Sequence, residues 1–123
     1  MIGPPALDVL LDKTNKSQFH RVRAIAAKAI GLIDVPDDKS KVVIKRLIEL
    51  STDVSHLVRR EAVVAISKIE MARIETSKRN GLDPRPDDAI LSALKKATKD
   101  QRPSIRAASE NGLSAIEELN AVK

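Results

Sequence analysis

The sequence predicts an all-α fold, an α-solenoid (α-α superhelix) of three stacked helical hairpins. Apolar residues recur at helical spacing, the pattern occurs three times along the chain, and Phe19 is the one aromatic residue among 123. A core without aromatics must be built from Leu, Ile, Val and Ala, and such small side chains fill space only where backbones approach closely, as between packed helices. The period-two alternation of exposed strands is missing.

The repeat is visible in three segments, FHRVRAIAAKAIGLI, SHLVRREAVVAISKI and RPSIRAASENGLSAI. Within each segment the apolar residues form one stripe of a helix with a period of 3.6 residues. Matched positions are separated by 36 and then 47 residues, and Val22, Val58 and Ile105 form one such set. The same offsets connect an upstream leucine in each unit. We therefore expect a first helix, a turn and a second helix per unit, with Val22, Val58 and Ile105 lining one shared interior.

The domain organisation follows from the length and from the turn residues. A chain of 123 residues favours a single domain, here 1–123, with repeats at about 4–34, 37–80 and 87–120. Asp37-Asp38 and Asp87-Asp88 are N-cap candidates before the first helices of the second and third units. The eleven extra residues of the second unit predict a second helix prolonged to about Arg79, a stop at Asn80-Gly81 and a proline-stiffened loop.

These offsets, with an Asp followed six residues later by an Arg, resemble HEAT repeats, including the bilin-lyase-type variety. The resemblance covers about residues 5–118 and is specific for the fold. In that family the Asp and the Arg form a ladder between neighbouring repeats, which implies a structural role here. The first unit departs, with Ser17 in the place of the Asp before Arg23. The matching residues are Asp53, Arg59, Asp100 and Arg106.

The sequence predicts no enzyme, no cofactor and no metal site. There is no cysteine, the four glycines are isolated, and no spacing links a nucleophile to a base. His20 and His56 are equivalent, but stacked helices lie roughly 8–10 Å apart, too far for a shared ion. Deoxyhypusine hydroxylase, a HEAT-like enzyme, binds iron through His-Glu pairs, which are absent here. Bilin lyases share the repeat but need a pocket for a tetrapyrrole, and the sequence indicates none.

The predicted function is a non-enzymatic scaffold or adaptor that binds a protein partner on its second-helix (concave) surface. On the side of the second helices opposite the expected core, the residues are unusually small for a free helix face. Crowding by superhelical curvature is an equally good explanation of this smoothness. The predicted partner-binding residues are Ala24, Lys28, Arg60, Val63, Val64, Ser67 and Asn111.

The alternative function is a nucleic-acid-binding accessory protein. The net charge is +5, and positions 13–33 hold five basic residues and no acid. Stacking would align the turns in a basic rim able to follow a phosphate backbone. The lack of aromatics for base stacking favours a solvated face or an acidic protein partner instead. The residues of this rim are Lys13, Lys16, Arg21, Lys99 and Arg102.

The remaining expectations concern location and assembly. The N-terminal segment lacks the pattern of a signal peptide, and no apolar run approaches the roughly 18 residues of a membrane span. We therefore expect a cytoplasmic protein without membrane contact and with a protein partner of unknown identity. The first helix pair is poorly capped with polar residues, so a monomer or a weak homodimer is expected.

Overall fold

The computed structural model describes residues 4–16 and 19–121, and these form helices without any strand. The first helices of the three units are α1, α3 and α5, and the second helices are α2, α4 and α6. Their bounds are α1 Pro4–Lys16, α2 His20–Ile30, α3 Asp37–Leu50, α4 His56–Arg79, α5 Asp88–Ala97 and α6 Pro103–Ala121.

The helices pack as three hairpins in a row. Each first helix lies against its own second helix, and the second helices pack extensively on one another in the order α2, α4, α6. The first helices contact each other much less. Leu47, Val58, Ile66 and Ile105 are completely buried in one aliphatic core that runs through all three units. The fold thus buries a continuous interior that no single hairpin could enclose.

Small residues set the distance between the second helices. A Cβ added at Gly31 at the end of α2 would lie 2.8 Å from the Cβ and 2.9 Å from the Cα of Ala65 in α4. One unit further on, a Cβ at Gly112 in α6 would overlap the side chain of Ser67 in α4. By the repeat offsets Gly31 is equivalent to Ser67 and Ala65 to Gly112. At both junctions the same position of one second helix therefore meets the same position of the next, and the two junctions are built alike.

The expectation that Val22, Val58 and Ile105 share the interior is correct for two of the three. Val58 and Ile105 are 0% exposed, whereas Val22 is 37% exposed. This position faces the preceding unit, and among the described residues nothing precedes the first unit to cover it. The prediction for Val22 was wrong because the pattern identifies equivalent positions but not the end of the stack.

The second unit differs from the others in its long second helix. α4 ends at Arg79, and Gly81 follows with a φ of 70°, the left-handed conformation that favours glycine. The loop then leads to Asp87, whose carboxylate accepts hydrogen bonds from the backbone N–H groups of Ala89 and Ile90. The predicted helix end and this predicted cap are both confirmed. The predicted cap at Asp37-Asp38 was wrong, because α3 begins at Asp37 itself and Pro36 occupies the N-cap position.

Replacing Gly31 by Ala should destabilise the junction between α2 and α4. The new methyl group must displace the backbone of α4, and overpacking of this kind costs about 1–3 kcal/mol. Urea unfolding followed by circular dichroism at 222 nm measures the effect. Lys28→Ala, an exposed substitution one turn earlier in α2, is the control and should change little. Adding Ala65→Gly should recover part of the loss, and a double mutant no better than Gly31→Ala would contradict this packing.

Candidate functional site

The turns between paired helices carry a ladder of ion pairs that joins the units. Arg59 donates from Nε to Oδ2 of Asp100 at 2.8 Å and from Nη2 to Oδ1 at 3.3 Å. Its Nη1 donates to the backbone oxygens of Asp53 at 2.9 Å and Val54 at 3.3 Å. One guanidinium thereby holds its own turn with one edge and the turn of the next unit with the other.

The same arrangement connects the first unit to the second. Arg23 donates to both carboxylate oxygens of Asp53, at 3.1 and 3.0 Å. In the last unit Arg106 repeats the contact with its own turn, donating to the backbone oxygens of Asp100 at 2.8 Å and Gln101 at 3.1 Å. Ser17, the residue that departs from the pattern, lies outside the described residues.

Asp100 accepts hydrogen bonds from two residues of the ladder turns, Arg59 and Arg102. Burial alone would raise its pKa, but hydrogen bonds from the Arg59 guanidinium and from the backbone N–H of Arg102 outweigh burial and lower the pKa below its ordinary value. Only 10% of the Asp100 side chain and 18% of the Arg59 side chain are exposed. The pair is therefore shielded enough to orient one unit against the next.

The concave surface contains only part of the residues predicted to meet a partner. Lys28, Arg60 and Asn111 are exposed, and Val64 is half-buried. Ala24 is 7% and Val63 is 0% exposed, so neither offers surface to a partner. Their burial corrects the assumption that the small residues of α2 and α4 face outward. At helical spacing Ala24 shares the face of Gly31 and Val63 that of Ser67, and these two residues contact the next second helix.

Ser67 is also buried, since its hydroxyl donates to the backbone oxygen of Val63 at 3.0 Å and its side chain lies against Gly112. A groove of about 610 Å³ nevertheless runs between α4 and α6. Arg60, Val64, Ser67 and Asn111 all contribute to its lining. The prediction that the concave surface binds a partner therefore depends on these four residues and on Lys28.

The basic rim is spread along the turns. Lys13, Arg21, Lys99 and Arg102 are exposed, and the side chain of Lys16 lies outside the described part of the chain. The two histidines do not converge with acidic residues, and residues 4–16 and 19–121 contain no group of three His, Cys, Asp or Glu residues able to hold a metal. None of the described helices is both long and apolar enough to cross a membrane.

A cleft between α3 and α5, on the side of the first helices, was not predicted from the sequence. It has a volume of about 450 Å³, and isoleucines from three helices form its walls. Lys41 and Lys45, both exposed, lie along its α3 edge. The isoleucines are Ile44 and Ile48 of α3, Ile69 of α4 and Ile90 of α5. The sequence signal was present in Ile44 and Ile48, which the repeat pattern assigns to no core position.

The floor of the cleft adjoins a buried carboxylate. Glu70 is 1% exposed and accepts hydrogen bonds from Arg73 Nε at 2.7 Å, from Arg73 Nη2 at 3.2 Å and from the backbone N–H of Asp87 at 2.7 Å. Arg73 also donates to the backbone oxygen of Arg85 at 2.6 Å. The hydrogen bond to Glu70 raises the pKa of Arg73 above its ordinary value. This cluster fixes the loop that positions α5 and so sets the width of the cleft.

Comparison with known proteins places the fold. A chain of the complex of CpcE and CpcF of phycocyanin lyase from Nostoc sp. PCC7120 has a similar structure, with a TM-score of 0.68 and 23% sequence identity. The match covers 91% of this chain and 64% of that chain, so the present chain spans less than two thirds of its length. No family model matches the sequence, and no curated protein matches it.

The likeness confirms the all-α solenoid of HEAT-like helical repeats. It contradicts the prediction of a non-enzymatic scaffold or adaptor and lends no support to the nucleic-acid alternative, because the protein that shares the fold is a lyase. The prediction that the chain is not an enzyme is corrected on the same finding. The matched protein forms a complex of two different chains, which agrees with the expectation of a protein partner.

Replacing Asp100 by Asn should weaken the stack and flatten its response to acid. Removing the charge from a shielded, hydrogen-bonded pair should lower the free energy of unfolding at pH 7 by about 1–3 kcal/mol. Because the pKa of Asp100 is lowered in the folded state, its contribution is complete above about pH 4 and is lost as the pH falls through the folded pKa. Urea unfolding at pH 7, 5 and 3 should show the two proteins converging at the lowest pH.

The control for this prediction is Asp83→Asn, which removes an ion pair to Arg85 on the exposed loop and should alter stability far less. Equal losses for Asp83→Asn and Asp100→Asn, or a difference between wild type and Asp100→Asn that persists unchanged at pH 3, would show that the ladder does not join the units as described.

Proposed function

We propose that this chain is a helical-repeat subunit of a bilin lyase that holds an open-chain tetrapyrrole in the cleft between α3 and α5. The observation that carries the proposal is an apolar cleft with a cationic edge, in a fold shared with a phycocyanin lyase chain. The proposal includes four expectations from the sequence. These are the resemblance to bilin-lyase-type HEAT repeats, a single domain over residues 1–123, a cytoplasmic location and a protein chain as partner.

The size and polarity of the cleft suit such a ligand. An open-chain tetrapyrrole is a long, largely apolar conjugated molecule with two propionate groups. Ligand sites of small molecules occupy about 300–1,000 Å³ and combine apolar walls with a few placed polar groups. The cleft of about 450 Å³ has walls of isoleucine and lysines at its edge. The ligand would bury its conjugated system against Ile44, Ile48 and Ile90.

The charges around the cleft leave the lysines available for carboxylates. Arg73 forms a bidentate ion pair with Glu70, so the charges of these two residues cancel each other. Glu49, also at the edge, lies 3.5 Å from Arg46. Among the described residues neither Lys41 nor Lys45 has a carboxylate within ion-pair distance. Two exposed cations one helical turn apart therefore remain to meet the propionates.

The concave groove between α4 and α6 is a second location for the same ligand. It is larger, at about 610 Å³, and has Arg60 and Lys68 beside Val64 and Met71. Its floor is made of small residues of α6, however, and it is more open to solvent. The cleft between α3 and α5 offers the greater apolar contact and is the location we propose.

Biliverdin should bind the purified full-length chain, and Ile44→Glu should weaken binding at least about tenfold, because it places a carboxylate on the apolar wall. The double substitution Lys41→Glu and Lys45→Glu should weaken binding to a similar extent through repulsion of the propionates. Visible absorbance and induced circular dichroism of biliverdin measure the binding.

Two control variants make the result specific. Lys96→Glu alters an exposed lysine of α5 outside the cleft and should leave binding unchanged. Val64→Glu tests the concave groove in the same way as Ile44→Glu tests the cleft. Loss of binding by Val64→Glu alone would move the ligand to the groove and overturn the proposed location, and no binding by the wild-type chain would overturn the proposed function. Far-ultraviolet circular dichroism verifies that each variant is folded.

A further inference from the structure

A second pocket continues the cleft past the first turn of α3. Ser40, Ile69 and Arg73 line both the cleft and this pocket, so the two spaces meet along these side chains. α4 has 24 residues and α3 has 14, and a short turn joins them, so the last part of α4 runs about 15 Å past the start of α3. There it forms one wall of a pocket of about 270 Å³, which we call the Ser77 pocket.

Apolar residues from three segments line the Ser77 pocket. Ile33 and Val35 come from the loop before α3, Ala72 comes from α4, and Leu82 comes from the turn after α4. The backbone N–H of Leu82 donates to the backbone oxygen of Ser77 at 2.8 Å, which holds this turn against the helix. The fold therefore supplies a preformed concavity at the end of the cleft.

The hydroxyl of Ser77 is available to a ligand in this pocket. Ser77 is 8% exposed, and among the described residues its hydroxyl has no hydrogen-bond partner. The other buried hydroxyls of the described residues, those of Thr14, Ser67 and Ser109, each donate to a backbone oxygen of their own helix. In the described part of the chain no side-chain oxygen or nitrogen that is fully shielded from water lacks a partner. The Ser77 hydroxyl is therefore open to the pocket that it lines.

Arg73 presents a second free group to the same pocket. Its Nε and Nη2 donate to Glu70, and Nη2 also donates to the backbone oxygen of Arg85, whereas Nη1 has no partner among the described residues. Arg73 and Ser77 are four residues apart and so lie on one face of α4. Because Glu70 already balances the charge of Arg73, and because the exposed carboxylate of Asp34 also lines the pocket, a neutral acceptor fits here better than an anion.

A lactam ring has the matching groups. Its carbonyl oxygen accepts and its N–H donates, and the ring holds both on the same edge. Nη1 of Arg73 can donate to this carbonyl, and the Ser77 hydroxyl can accept from the N–H. An open-chain tetrapyrrole has a lactam ring at each end, whereas its propionates are on the two middle rings. Lys41 lines the cleft next to Ser40, so the propionates would lie close to the junction of the two spaces.

We propose that the Ser77 pocket binds a terminal lactam ring of the tetrapyrrole, with Ser77 and Arg73 as specificity-determining residues. The middle rings then lie in the cleft between α3 and α5, with their propionates at Lys41 and Lys45. This inference rests on the proposed function and names the part of the ligand that each half of the site recognises.

The test compares biliverdin with its dilactim methyl ether, in which both lactam oxygens are methylated and the lactam N–H groups are lost. Visible absorbance titrations with the full-length chain measure binding. The wild type should bind biliverdin at least about tenfold more tightly than the ether, because the ether leaves both polar groups of the pocket unpaired. Ser77→Ala should weaken binding of biliverdin about threefold to tenfold and leave binding of the ether unchanged.

The double substitution Lys41→Glu and Lys45→Glu should weaken binding of both ligands alike, since both carry the propionates. Ser92→Ala is the matched control, because it removes an exposed hydroxyl of α5 outside both spaces and should bind both ligands as the wild type does. Urea unfolding should show no loss of stability in Ser77→Ala, which removes no hydrogen bond within the described residues.

Undiminished binding of biliverdin by Ser77→Ala, or an equal loss for both ligands, would overturn this inference and leave the proposed function standing. Equal binding of the two ligands by the wild type would do the same. Failure of the wild type to bind either ligand would instead overturn the proposed function, and this inference with it.

Discussion

The close approach of the second helices is the constraint on which the rest of the structure depends. Gly31 against Ala65 and Gly112 against Ser67 leave no room for larger side chains, so α2, α4 and α6 pack backbone to backbone. An aliphatic core with one aromatic residue in the whole chain can be filled to protein density only in this way. Ala24 and Val63, which were expected on the concave surface, are buried as well.

The ladder of ion pairs fixes the orientation of each unit relative to the next. Apolar contacts between smooth helices do not by themselves fix how far one helix slides along another. The bidentate contacts of Arg23 with Asp53 and of Arg59 with Asp100 have strict geometry, and Arg59 is itself held by the backbone oxygen of Asp53 in its own turn. Removing a charged pair from water costs much of the free energy that the attraction between the charges provides. We therefore infer that the ladder serves mainly to orient the units and contributes less to their stability.

Much of the fold could be predicted from the sequence, because the positions that recur in the three repeats are those whose side chains pack in the core. The end of α4 at Arg79, the turn at Gly81 and the capping by Asp87 all depend on local backbone chemistry that individual residues determine. Val22 was misplaced because its burial depends on a helix packed against its segment, and the described residues 4–16 and 19–121 place none there. The cleft was missed for a similar reason: Ile44 and Ile90 belong to different units, and their separation is a property of the assembled stack.

The position of the cleft follows from the unequal spacing of the two helix layers. The second helices are drawn together by glycine and alanine, while the first helices contact each other only sparsely, so the stack opens on the side of α3 and α5. The inserted loop holds that opening at a defined width, because Glu70 binds both Arg73 and the backbone N–H of Asp87 at the start of α5. The eleven additional residues of the second unit thus create the support of the site, which is why we place the ligand between the second and third units.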